Sequence, residues 1–103
     1  MFLIRDIMYC KPGKVRPMVD KFIAMSKMGG RLGMPPMRVM TDFCAERYWT
    51  VVSEMEVSDL QAFEQMLSSP QGSPEDVEQF NELMKGYHDL VDHGKREIYR
   101  IEG

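Results

Sequence analysis

The chain has 103 residues, with 13 basic and 16 acidic side chains and a net charge of −3, a size that suits one domain (1–103) built on a single modest core. The charges are scattered, without the Lys/Arg clustering that tracks a phosphate backbone, and no apolar run approaches the ~20 residues of a membrane span. Neither a nucleic-acid nor a membrane partner is therefore expected.

Residues 2–10 alternate Phe2, Ile4, Asp6, Met8 with Leu3, Arg5, Ile7, Tyr9. Both sets are mostly apolar, which predicts a strand whose sheet is covered on both faces. Lys11-Pro12-Gly13 punctuates it, and Val15, Met18, Val19 and Phe22 then take up helical spacing. Gly29-Gly30 ends that helix, and 29–37 is a connector. Strands are predicted at 38–45 and 47–56, the second again apolar on both parities. Ser58 is expected to cap a helix, with Gln61 as its capping-box partner and Leu60, Phe63 and Leu67 as its buried stripe. The stretch 68–74 breaks that helix. Ser73-Pro74-Glu75-Asp76 starts the next one, with Pro at the first helical position and acids in the first turn. Val77, Phe80, Met84, Tyr87 and Val91 form its stripe, His93-Gly94 its expected end, and 95–102 the last strand. Residues 1–10 carry no basic segment leading into a long apolar stretch, so no signal peptide is expected and the expected compartment is the cytoplasm.

The order β-α-β-β-α-β predicts an α+β, ferredoxin-like fold, a four-stranded antiparallel sheet with helices on one face. The other face also carries large apolar side chains, and its simplest cover is a second copy of the chain, which predicts a homodimer packed sheet to sheet. Cys10 and Cys44 make no disulfide framework. Placed on two strands separated by a third, their chains stand about 9–10 Å apart, too far for an intrachain disulfide. No Cys/His cluster has zinc spacing, so no metal is expected. Methionine is abundant, 11 of 103 residues, as in plastic apolar pockets and in ordinary cores.

Three stretches carry a resemblance: the strand-KPGK-helix opening at 2–22, Asp59-Leu60-Gln61-Ala62-Phe63-Glu64 through Leu67-Ser68-Ser69-Pro70, and the closing strand Arg96-Glu97-Ile98-Tyr99-Arg100. They resemble the dimeric α+β barrel group, which includes antibiotic-biosynthesis monooxygenases, haem-degrading monooxygenases and NIPSNAP proteins. The resemblance implies a small-molecule pocket between sheet and helices. It also implies, if there is turnover, oxygenation of a phenolic or enolic substrate without metal, flavin or other cofactor. The alternative is a non-catalytic dimeric binding or stress module of the same fold. Where the haem-degrading members have a pocket Trp and a helix His, this chain has Glu56-Val57 and Met66, which counts against haem.

Asp6 matches the position at which the resembled monooxygenases place a pocket Asn. A charge among Phe2, Ile4 and Met8 needs a wet cavity or an ion pair, with Arg5, Arg96 or Arg100 as candidate partners. His88 falls at the edge of the last helix's stripe, where an imidazole can look into a pocket and exchange a proton near neutral pH, or simply be half-exposed. Asp6 and His88 are thus the candidate catalytic bases. Met8, Trp49, Met66, Met84, Tyr87 and Tyr99 are the candidate contacts for a small apolar or aromatic ligand, each with an ordinary core role as its alternative.

Overall fold

In the computed structural model, which describes residues 1–69 and 72–103, the chain runs β1 (Phe2–Cys10), α1 (Val15–Gly29), β2 (Met37–Thr41), β3 (Thr50–Val57), α2 (Leu60–Ser68), α3 (Pro74–Met84) and β4 (Val91–Arg100). Short 3-10 turns follow α1 (Gly30–Leu32) and α3 (Tyr87–Leu90). The four strands form one sheet in the order β2-β3-β1-β4, every neighbouring pair antiparallel. This is the ferredoxin-like α+β topology that the element order predicts.

Helix α1 follows a tight turn at Gly13, whose φ of +79° suits glycine. It buries Met18, Val19, Phe22, Met25 and Met28, one apolar face at helical spacing. Met18, Val19, Phe22 and Met25 meet Cys10 and Val51 of the sheet, while Ile4, Met55, Val57 and Phe63 form a second cluster under α2. Four of the methionines buried here are core filling. Lys21 on α1 donates from Nζ to the carbonyls of Leu83 and Lys85 at 2.8 and 2.9 Å, so a cation satisfies the orphan acceptors at the end of α3 and ties the two helices together.

Several boundaries differ from the sequence reading, each for a local reason. Asp59, not Ser58, caps α2: its extended backbone lets Oδ1 accept from the Gln61 amide at 3.0 Å. Of that helix's expected stripe only Phe63 is buried, and Leu60 and Leu67 are exposed. Ser73 and Asp76 do form a reciprocal capping box at the start of α3. Within the expected break at 68–74, Pro70 and Gln71 lie outside the described residues. Helix α3 stops at Met84 because Gly86 turns the chain at φ +83°. Tyr87 therefore projects from a 3-10 turn and Val91 from β4. His93 and Gly94 are strand residues rather than a helix cap.

The segment 42–49 is a loop rather than the ends of two strands. Asp42 Oδ1 accepts from the Thr50 amide, and Thr50 Oγ1 donates to the Arg47 carbonyl, which satisfies the loop locally. Cys44 is exposed there and Cys10 is buried; both are free.

Antiparallel register sorts the sheet into two faces. The helices cover Ile4, Met8, Val51 and Met55. The opposite face carries Leu3, Arg5, Ile7, Tyr9, Val52 and Glu54. Glu54 is buried there, receiving Arg5 Nε at 2.7 Å and Arg38 Nη2 at 3.0 Å. Burial pushes its carboxyl up, but the hydrogen bonds and charges of Arg5 and Arg38 outweigh this and hold it below the ordinary Glu value of 4.5. The folded state therefore favours the carboxylate, so its stabilisation is complete above that ordinary value and is lost as pH falls from there through the depressed folded value. We expect Glu54→Gln to cost about 2 kcal/mol at neutral pH, and the variant to lose less further stability than the native chain on acidification. Urea denaturation across pH measures both; parallel pH profiles would show that the pairing contributes nothing.

Candidate functional site

The helix-side face of β1 presents Asp6 between Ser53 of β3 and Arg96 of β4. Arg96 Nε donates to Asp6 Oδ1 at 2.6 Å and Nη2 to Oδ2 at 3.3 Å, a two-pronged ion pair. The Asp6 side chain is 18% exposed and that of Arg96 44%, so the pair sits at a rim rather than in the core. The Arg96 guanidinium also lies 5.4 Å from the centre of the Phe63 ring, which joins the pair to α2.

Two residues further along β1, Met8 faces Gly94. A Cβ at position 94 would stand 2.6 Å from Met8 Sδ and 3.1 Å from the Ile7 carbonyl oxygen. The glycine is thus what allows the Met8 thioether to lie flat across the edge strand. The 3-10 turn after α3 brings Tyr87 and His88 to the same place, their rings 3.9 Å apart between centres. Asp6, Met8, Tyr87, His88, Val91 and Arg96 together line one open cleft of about 430 Å³. Asp92, His93, Gly94 and Lys95 complete its lining, so Met8, Tyr87 and Val91 form an apolar patch among charged and imidazole side chains.

The other candidates lie elsewhere. Met84 packs against the α1 core. Met66 packs under α2 and lines a larger hollow of about 750 Å³ with Glu56, Val57 and Phe63. Among the described residues no histidine or cysteine lines that hollow. Tyr99 lies in register with Leu3 on the helix-free face, because strand parity puts it opposite to Ile98. Trp49 sits in the 42–49 loop at φ +64°, 44% exposed, and its carbonyl accepts from the Cys10 amide at 2.8 Å. Neither reaches the cleft. Gly94 and Val91 do, and the sequence reading missed both; the short Gly86 turn that starts β4 early is the signal that would have placed them.

Among the described residues no cluster of three or more His, Cys, Asp or Glu side chains is arranged to hold a metal ion. None of the described buried side-chain nitrogens or oxygens lacks a hydrogen-bond partner. No described helix is long and apolar enough to cross a membrane.

No family model and no curated protein matches the chain. Solved structures do, over nearly its whole length. A NIPSNAP-like domain protein from Burkholderia xenovorans matches 98% of this chain and 84% of its own, at 14% identity and a TM-score of 0.76. SnoaB, a cofactor-independent oxygenase from Streptomyces nogalater, matches 99% and 93% at 11% identity and 0.66. A putative antibiotic biosynthesis monooxygenase from Deinococcus radiodurans matches 100% and 94% at 13% identity and 0.66. The chain shares the ferredoxin-like α+β fold of these proteins, and at such identities the likeness is one of fold.

The Asp6–Arg96 pair is partly exposed, so breaking it costs less than a buried pair would. We expect Asp6→Ala to lower stability by about 1 kcal/mol, and Gly94→Ala to cost at least as much by displacing Met8. Chemical denaturation of each variant checks this; a stability unchanged by Asp6→Ala would mean that the pair has no structural role.

Proposed function

We propose that this chain, on the fold it shares with NIPSNAP-like and monooxygenase-like proteins, binds a small, flat, mostly apolar molecule in the cleft between β1, β4 and the turn after α3. The observation that carries the reading is the convergence of Met8, Tyr87, His88 and the Asp6–Arg96 pair on one cleft. Met8 and the Tyr87 ring offer the adaptable apolar surface that a flat ring needs.

For an enzyme, the geometry divides the polar roles. Asp6 is engaged by Arg96 through both oxygens, so it serves as the positioning residue for the guanidinium and not as the base. His88 is exposed and takes the proton of a phenolic or enolic hydroxyl. Arg96 stabilises the oxyanion that this leaves. The electron-rich carbon of that anion adds to dioxygen; protonation gives a hydroperoxide, and loss of water with a second C–H proton leaves a carbonyl. Dioxygen is the oxidant and the substrate carbon is oxidised. A second reading, a binding module without turnover, is favoured by the same Asp6–Arg96 pair and by the openness of the cleft.

The protein works in this reading as a homodimer joined through the helix-free sheet face. Leu3, Ile7, Met40 and Val52 are only half-buried on that face and Tyr99 is 47% exposed, an apolar area that one copy leaves wet. Sedimentation at micromolar concentration is expected to show a dimer, and a monodisperse monomer would remove this part of the reading.

Calorimetric titration with a series of naphthols and hydroxyanthracenes, combined with oxygen uptake, tests the site. We expect Tyr87→Ala to weaken binding about tenfold and His88→Ala to retain binding while oxygen uptake stops. Binding without uptake by the native chain selects the binding module. Failure of every compound to bind sinks both readings.

A further inference from the structure

The helix-free face carries a row of charges that no single strand displays. In the order β2-β3-β1-β4, register brings Arg38, Glu54, Arg5 and Glu97 into one line across the sheet. The neighbours are in contact: Arg38 Nη2 to Glu54 Oε1 at 3.0 Å, Arg5 Nε to Glu54 Oε2 at 2.7 Å, and Arg5 Nη1 to Glu97 Oε1 at 3.7 Å. The signs run plus, minus, plus, minus, and Lys95 Nζ stands 3.8 Å from Glu97 Oε2 beside the last member. Beside this line runs a second one, Met40, Val52, Ile7 and Lys95, apolar except at its end.

A row of four alternating charges is antisymmetric about its midpoint. Turned over by a twofold axis parallel to the strands, it meets its own complement. Arg38 then faces the second copy's β4 acid and Glu54 faces its β1 arginine, while Val52 falls on Ile7. Turned over by an axis across the strands, each charge would face its own like and the faces would repel. Aligned sheets cross at about 30°, which displaces the outermost partners by only about 4 Å, within reach of arginine and glutamate side chains.

The area makes such a device useful. Four strands about 4.8 Å apart and about eight residues long present roughly 500 Å² in projection; the 42–47 segment shares a hollow with Arg5, Glu54 and Glu97 on this face, so two copies bury at most about 1,000 Å², near the lower limit for a specific interface. Apolar contact alone then says little about which way the faces meet.

We propose that this charge row sets the orientation of the homodimer, pairing two copies of the chain about a twofold axis parallel to the strands with Arg38 of each against Glu97 of the other. The proposal rests on the homodimer reading above and adds the orientation. It also names what the face rejects: a copy presented across the strands, or a surface without the alternating signs.

The test uses two charge reversals. Arg38→Glu sets an acid against Glu97 at both ends of its own dimer, and Glu97→Arg sets two arginines together. Each is expected to self-associate roughly tenfold or more weakly than the native chain. Mixed in equal amounts they restore both outer pairs, so the mixture is expected to dimerise about as well as the native chain, as a heterodimer seen by native mass spectrometry. Variants that dimerise normally alone, or a mixture no tighter than its parts, would overturn the proposal while leaving the dimer in place. A native chain that is monomeric overturns the dimer reading and the orientation together. Circular dichroism first establishes that both variants fold. If either does not, Arg38→Gln and Glu97→Gln carry the test through salt: native dimerisation is expected to weaken with rising salt and the neutral variants to show a flatter dependence. A native dimer indifferent to salt refutes the charge row.

Discussion

The register of β1 against both of its neighbours is the constraint on which the molecule depends. This strand pairs along its length with β3 on one side and β4 on the other, so its parity divides the whole protein into a helix side and an open side. Ile4, Met8 and Cys10 face the helices, and Arg5 and Ile7 face away. A slip of one residue would carry Arg5 into the core and Ile4 out of it. Two features oppose such a slip. Glu54 is held from both sides by Arg5 and Arg38, and Met8 needs the missing side chain at Gly94. Each matches only the native pairing.

The same register produces the cleft. A polar residue in the middle of an otherwise apolar strand face would be costly if it were left alone, and β4 supplies its partner from 90 residues away along the chain. Because β4 is an edge strand, with Asp6 18% and Arg96 44% exposed, that pair remains open to water on one side. The fold therefore tolerates a charged pair next to its core while leaving the groups around it accessible. Proteins that share this fold include an oxygenase and NIPSNAP-like proteins described as uncharacterised, as expected where one scaffold serves several chemistries.

By itself the sequence determined the order of elements and the sheet topology, because periodicity of two and of about 3.6 residues is a local property and crossover rules leave few ways to connect the pieces. The α1 face of Met18, Val19 and Phe22, the Ser73 cap and the two-sided character of β1 were all legible in it. Boundaries governed by a single backbone angle were not: Gly86 at positive φ ended α3 early and moved His93 from a helix end to a strand. Nor was the choice among arginines for Asp6, since Arg5, Arg96 and Arg100 are equivalent as residue types. Strand parity put Arg5 on the other face and sent Tyr99 away from the cleft, and register separated the two that remained, setting Arg96 beside Asp6 and Arg100 beside Phe2. The alternating row is the clearest case. Each of its four members is an ordinary isolated charge on its own strand, and it becomes a pattern only across four strands in register. Such a relation has no local signal, so only the tertiary structure decides it.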